Sequence, residues 1–516
     1  MNLYLSMKEK QFFSFTSFPP VICVCAGAVF SFYGFAFFRT ADRPGIFLIA
    51  SALLLSAVFS FVHVVFRLHI HTHVKSKSAL ILVFCLIFGF AVGIANRCAA
   101  IKEKAVFPGQ DSFWVSGIEG KLQDDPRMTA SGRGMGTLDL SRSIGKGGLS
   151  TTARGKVMVF FPEGSIPRLK EFGRGANIFV TGNFSKDKIT GEQNTKMFSA
   201  KGTHIVGPAP RIEQLRTLCR QSVIDAFSSQ RARQFGGLAL ALLLGIRDNL
   251  DTELARQYQN AGCSYILALS GMHLAIVSAL LAFLLKRPLG LKLSAIIGAV
   301  FIVLYVYLVG AQPSLTRAAI MYLLGSAAVL GAFKTNAALL LAAAFLIQIN
   351  FGASAGDSIS FLLSYGALAG ILTLGGTFAF LFRGKLPQLL ASPLSASLGA
   401  FTATMALTIG FFGELRIVGI FAGLILAPLT TVFMIGSIAY LFFCAVLPML
   451  NVPISFMLNI IYSALEKIAF FAGRFPAIIT PPSIFTIGIS IILPLLVVIF
   501  AKYVKRNRLT YSSRRV

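Results

Sequence analysis

Acidic residues are scarce in this chain of 516 residues: 20 Asp and Glu stand against 47 Lys and Arg, and charged residues make up only 13% of the whole. A soluble domain carries about 25% charge. That deficit, with 55% hydrophobic residues and a mean hydropathy of +0.74, excludes an ordinary soluble globule. Histidine is sparse too, six in all. No clustered set of His and Asp ligands of the kind that metal-assisted phosphodiester cleavage requires is present, so neither a metal nor a cofactor is expected. His69, His71 and His73 alternate in a short juxtamembrane loop without a carboxylate partner. They read as a titrating interfacial loop rather than a metal site. The seven cysteines contain no CxxC pair, and none lies between Cys98 and Cys219. A disulfide framework inside that polar stretch is therefore excluded. Cys98 and Cys219 flank it, where a bond would need an oxidising compartment.

The chain is instead rich in apolar runs of membrane-spanning length. Three come first, at 19–38, 46–66 and 79–95. Lys8 and Lys10 precede the first, and Arg67, Lys75 and Lys77 separate the second from the third with no acidic residue among them. Both basic segments are expected in the cytoplasm, which places the chain beyond Ala95 outside. The first run has no small-residue cleavage site and reads as a retained helix. The formal net charge of +27 arises in part from this orientation rule; the remainder suits an anionic substrate or anionic lipid.

Residues 107–210 form the one soluble-looking region. Apolar alternation at 113–122, 156–161, 177–184 and 196–206, with Gly-rich punctuation at 131–136 and 145–148, predicts about five short strands in a small antiparallel barrel of OB type. Trp114, Phe160, Phe179 and Phe198 are the rings that offer base-stacking surfaces, although some must also fill the barrel core. An amphipathic helix with Arg211, Arg216, Arg220, Arg231 and Arg233 comes next at 211–234, facing either anionic headgroups or a substrate. The apolar run 235–246 is too short to span and reads as a re-entrant half-span, leading to a polar helix at 248–260. Nine spans are then predicted, at 264–285, 293–311, 318–333, 337–351, 359–380, 389–412, 417–443, 453–474 and 483–501. The expected architecture is thus a polytopic α-helical membrane protein with about 12 transmembrane helices, a re-entrant segment and an inserted extracytoplasmic barrel. Its parts are 1–106, 107–210, 211–234 and 235–516. Lys286, Arg287, Lys334, Arg383, Lys385 and the basic tail fall on the cytoplasmic side, as do both termini.

The densest stretch is 239–277, ALALLLGIRDNLDTELARQYQNAGCSYILALSGMHLAIV. Hydroxyl and imidazole groups at membrane depth are costly unless they face protein or water. Ser270, Gly271 and His273 therefore either line a cavity or make a close helix contact. Ser270 and His273 also raise the possibility of an intramembrane serine protease, but a pair three residues apart on one helix is poorly placed for general-base chemistry.

This stretch closely resembles the signature of the ComEC family of competence proteins, in which a Leu-Gly-x-Arg turn precedes a helix carrying Ala-x-Ser-Gly-x-His. Ser314, Arg317, Ala318 and Met321 resemble the family's Ser-x-x-Arg-Ala-x-x-Met segment. Phe361, Leu363, Ser364 and Ala367 resemble its Leu-Ser-(Phe/Tyr)-x-Ala helix, and 411–428 its Phe-Phe…Pro helix. Ile246, Leu362 and Gly423 depart from the pattern, where an acidic residue, Gln and Asn are common. The resemblance implies a channel for single-stranded DNA in the bacterial inner membrane, not an enzyme, with Arg247, Ser270, Gly271, His273, Arg317 and Ser364 along the DNA path. It implies further partners: a DNA receptor outside, a cytoplasmic DNA-translocating motor and a separate nuclease, since no His-x-His-x-Asp-His is present. Membrane lipid is a partner in any case, and a homodimer is left open. The competing class is a small-solute or lipid transporter of the same helical architecture.

Overall fold

The computed structural model describes residues 20–39, 76–102, 105–108, 112–129, 133–162, 173–186 and 193–480, with single positions between 486 and 499. The expected span at 46–66, the loop with His69, His71 and His73, and most of the last span lie outside the described residues. Two compact units interleave along the chain. One comprises Met1–Cys98, Ile320–Glu414 and Thr480–Val516, the other Ala99–Ala319 and Leu415–Ile479.

In the first unit, helix Pro20–Arg39 packs on helix Ser76–Lys102. A side chain added at Gly89 would sit 2.0 Å from the Val24 carbonyl oxygen, and one at Gly93 would sit 2.4 Å from that of Ala28. The two glycines are four residues apart, so they form one face on which the partner backbone rests. Helices Ala337–Phe351 and Ile359–Gly370 complete this core around Phe32, Phe345 and Phe361. Gln388–Phe412 closes against Gly370 in the same way.

In the second unit, five strands form a closed barrel: β1 Val115–Leu122, β2 Gly134–Gly145, β3 Lys156–Phe161, β4 Asn177–Lys186 and β5 Gln193–Gly207. Around the ring the order is β1-β4-β5-β3-β2 and back to β1. The expectation of an all-antiparallel barrel is corrected, because β3 and β5 run parallel. Five strands in a closed ring cannot all alternate in direction, so one pair must be parallel. The stretch around Gly136, expected as turn punctuation, is instead part of strand β2. Its glycine at 136 faces inward because Leu122 and Phe161 fill that space, 3.2 and 3.3 Å from where a Cβ would stand. The core is Val115, Ile118, Leu138, Val157, Ile178 and Phe198 with their neighbours.

Among the described residues, six helices are long and apolar enough to cross a membrane. The expected total of about 12 is not reached among them. The longest, Gly271–Val309, runs without an intervening loop but is kinked between the two spans that the sequence predicts. Straight, its 39 residues would reach about 58 Å, twice a bilayer core. It breaks after Pro288 at Gly290, whose φ of 73° is left-handed. The residues at its two ends, Leu269 and Gln312, both meet Gly245. The segment therefore folds back on itself as two limbs of about 28 Å each, with exposed Lys286, Arg287 and Lys292 at the turn.

The amphipathic helix Arg211–Phe227 corrects another expectation, since its central arginines face neither headgroups nor open solvent. Arg216 donates to both Asp125 carboxylate oxygens, at 2.9 and 2.5 Å, and to the Tyr307 carbonyl at 2.7 Å. Arg220 donates to the Leu308 and Val309 carbonyls, both at 3.0 Å. These carbonyls are the ones a helix end leaves without intrahelical partners, and cations stabilise that end. The exposed side of the same helix carries Ile212, Leu215 and Leu218, each more than 60% exposed. Because the arginines pin it to the end of a membrane limb, this stripe is expected to lie at the lipid boundary. A nitroxide on Leu215→Cys should show high oxygen and low polar-quencher accessibility; the reverse ranking would place the stripe in water.

Candidate functional site

The short apolar run is a helix, Gly236–Leu244, buried at every residue except Gly237. It stops because Gly245 adopts φ 70°, a conformation that costs a side-chain-bearing residue energy. A Cβ there would also lie 2.2 Å from Leu269 Cδ1 and 3.0 Å from Gln312 Nε2, so both side chains would have to move. The chain then turns through Arg247 and re-enters a helix at Thr252–Asn260, capped by Asp251 accepting from the Glu253 amide at 2.9 Å. A short turn of helix, Ser264–Leu267, is followed by extended backbone at Ala268, and the signature helix starts at Gly271.

Ser270 caps that start. Its hydroxyl accepts from the Met272 amide at 3.3 Å, and its own amide donates to His273 Nδ1 at 3.0 Å. The Ser270 hydroxyl also lies 3.0 Å from Nδ1, closer than the spacing alone suggests. Both groups are thus engaged in a reciprocal cap. With Nδ1 accepting, a neutral ring carries its proton on Nε2, which is fully buried. Gly271 lies against Arg317: a Cβ there would stand 2.8 Å from Nη2 and 3.3 Å from the Ala318 side chain. Arg317 is 8% exposed. The structure therefore brings Ser270, Gly271, His273 and Arg317 together, with Gln312 and Gly245 beside them. Ser364 lies in the other unit, half-buried on helix Ile359–Gly370.

Arg247 is exposed in the turn beyond helix Gly236–Leu244. Partial desolvation against the surrounding protein and repulsion from Arg127 lower its pKa. The adjacent Asp248 accepts from the Met128 amide at 3.2 Å, tying this turn to the short strand Arg127–Met128 at the base of the barrel. Arg127 is not legible in the sequence as a site residue; it stands after a loop and acquires a partner only through the tertiary fold.

On the barrel, the four aromatic candidates separate. Phe198 is corrected: it is fully buried in the core, edge-on to Phe184 at 5.0 Å, and has no face to offer a base. Phe160 and Phe179 are half-buried on the outward side, with Phe179 lying across Gly117. Trp114 is 57% exposed and perpendicular to the half-exposed Phe113, with Lys146 Nζ 4.3 Å above the Phe113 ring. Two rings and a cation share one exposed corner, of which the sequence alone does not single out Phe113 and Lys146.

The departures from the motif pattern acquire a local account at one position. A Cβ at Gly423 would stand 2.2 Å from the Tyr265 hydroxyl, so the tyrosine occupies the space that an asparagine side chain would need. Leu362 packs beside the Phe345 and Phe361 cluster.

The model of one family, described as Competence protein, matches residues 242–506, the half of the chain that holds the signature. A curated relative, ComE operon protein 3 of Bacillus subtilis (strain 168), is 28% identical over 221 residues, which cover 41% of this chain. The match spans about a quarter of that relative's length, 27%. No solved structure matches. On the extent of the family match, and on the signature it contains, the chain belongs to the Competence protein family.

Proposed function

We propose that this chain is the passage by which single-stranded DNA crosses the bacterial cytoplasmic membrane during natural transformation, with the barrel outside and both termini inside. A phosphate backbone cannot be stripped of water cheaply, so its route needs fixed positive charge and polar walls. One observation carries the reading: the Arg317 guanidinium packs against Gly271, at the positive N-terminal end of a membrane limb, just after the extended backbone at Ala268. Family membership supports a part in competence, and the relative's name points the same way. In this reading the chain is a conduit and not an enzyme, since Ser270 and His273 are spent on the cap. Receptor, motor and strand-degrading nuclease are then separate proteins. Deletion of the gene, followed by protection of labelled incoming DNA from external nuclease, tests the proposal. Normal uptake without the protein would remove it.

The strand order of the barrel is that of an OB-type fold, a class whose faces take single strands. Trp114 is the sole tryptophan, so its fluorescence reports on one corner of the intact protein. Oligothymidylate is expected to quench it, less so at high salt. Stacking is worth about 1–3 kcal/mol per base, so Phe113→Ala should weaken that titration roughly five- to 150-fold. An unaltered titration in Phe113→Ala would leave the corner outside the DNA route.

Topology has its own check. With exposed Cys98 and Cys219 replaced by serine, Ser150→Cys should react with an impermeant thiol reagent in intact spheroplasts, and Lys286→Cys only after lysis. The opposite pattern would invert the orientation.

A further inference from the structure

Helix Asn451–Ala472 has two polar faces, and only one is accounted for by packing. Asn451 and Ser455 are buried with Leu458, Tyr462 and Leu465, and Leu458 fits against Gly436 of helix Val418–Val446. The other face carries Asn459, Ser463 and Lys467, each four residues from the last and so one above another. These three, with Phe456, Ile460 and Ala464, line a groove of about 410 Å³. Among the described residues, its lining comes from this one helix.

A polar stripe in the middle of a spanning helix is costly against lipid and marks a water-filled face or a substrate route. Asn459 Oδ1 is buried, and no protein donor reaches it. An amide oxygen left in that position is costly unless an ordered water supplies the donor. The groove is open on the side away from the helix, and Asn459, Ser463 and Lys467 supply the polar partners that water needs. A second copy of the chain is the poorer occupant, because a two-fold contact on this stripe would bring two Lys467 side chains together.

We propose that the Asn459–Ser463–Lys467 face is a hydrated wall of the conduit, with Lys467 as a contact for the phosphates of the moving strand. This rests on the DNA-passage reading. It adds a wall on a helix that none of the signature motifs marks.

The test uses the full chain in the Cys98→Ser, Cys219→Ser background. Asn459→Cys and Ser463→Cys should react with a small charged methanethiosulfonate, whereas Leu458→Cys, fully buried against Gly436, should not. Modification at position 463 should lower DNA uptake per inserted molecule, an anionic adduct more than a cationic one. Lys467→Glu should reduce uptake about tenfold, and Lys467→Arg should restore most of it, since the charge and not the ammonium matters. Unreactive cysteines, or a disulfide-linked dimer through Ser463→Cys, would overturn the inference. So would reactive cysteines with full uptake in Lys467→Glu, which would describe a wet groove off the route. These failures differ from that of the underlying reading, which is lost only if the deletion strain takes up DNA normally.

Discussion

Gly271→Leu is expected to bring DNA uptake down to background at unchanged membrane abundance. The glycine is the first residue of the signature helix, and the Arg317 guanidinium already occupies the space beside it. A single Cβ would stand 2.8 Å from Nη2, at the movable end of a flexible side chain, so Gly271→Ala should be tolerated with partial loss. Leucine adds a branched group that Arg317 cannot clear without leaving the helix end. Charge provides the independent arm. Arg317→Ala removes an attraction for phosphate, whereas Arg317→Glu replaces it with a repulsion of roughly 1–4 kcal/mol at contact, about fivefold or more in passage. Ser270→Ala with His273→Ala should cost less, about 1 kcal/mol for the lost cap, seen first as a lower melting temperature. The measurement is labelled DNA protected from nuclease, divided by inserted protein. Full passage per molecule in Arg317→Glu would detach this cluster from the route, and losses that only track abundance would make it a packing feature.

Much of this arrangement can be read in the sequence because membranes impose simple rules. The helix at 337–351 coincides with Ala337–Phe351, and the short apolar run at 235–246 becomes the helix Gly236–Leu244, because apolar length and glycine boundaries decide both. Ser270, Gly271 and His273 are legible as one turn of a helix, and their neighbour Arg317 is visible as a motif residue. That the two meet is not, because it depends on the fold-back at Gly290, which brings the start and end of a 39-residue segment to one place. In the barrel the strand hidden from the sequence is β2, whose inward glycine answers the bulk of Leu122 and Phe161, residues distant in sequence. Phe198 is misassigned for a related reason. Alternation identifies two faces of a strand but not which face is enclosed, and only barrel closure settles that. The arginines of 211–227 show the same limit. Composition gives their charge, while the carboxylate and the carbonyl that hold Arg216 come from residues 91 positions away in either direction.

Arg216→Ala is expected to destabilise the join between the barrel and the membrane limb more than any other single change in the second unit. Its side chain is 1% exposed and serves two structures at once, the Asp125 carboxylate in the barrel loop and the Tyr307 carbonyl at the end of the limb. Breaking a buried ion pair from one side costs about 3–5 kcal/mol, because the remaining charge stays buried. Asp125 keeps Arg220 at 3.7 Å, so the lower end of that range applies. For a barrel of this size that is on the order of 10–20 °C in melting temperature, followed through Trp114 fluorescence in detergent. The pH dependence has a fixed sign. Burial by itself would raise the Asp125 carboxyl, but the Arg216 hydrogen bond and the fields of Arg220, Arg216 and Arg174 outweigh it and hold the group below its ordinary 3.8. A carboxylate whose folded value is depressed contributes stability in full above about pH 4 and loses it as pH falls through the lower folded value. Melting temperature should therefore fall with acidification below about pH 4, and Asp125→Asn should be less stable at neutral pH while losing its share of that slope. Parallel acid profiles in the parent and Asp125→Asn, or an Arg216→Ala protein that melts with the parent, would show that the barrel is held by other contacts.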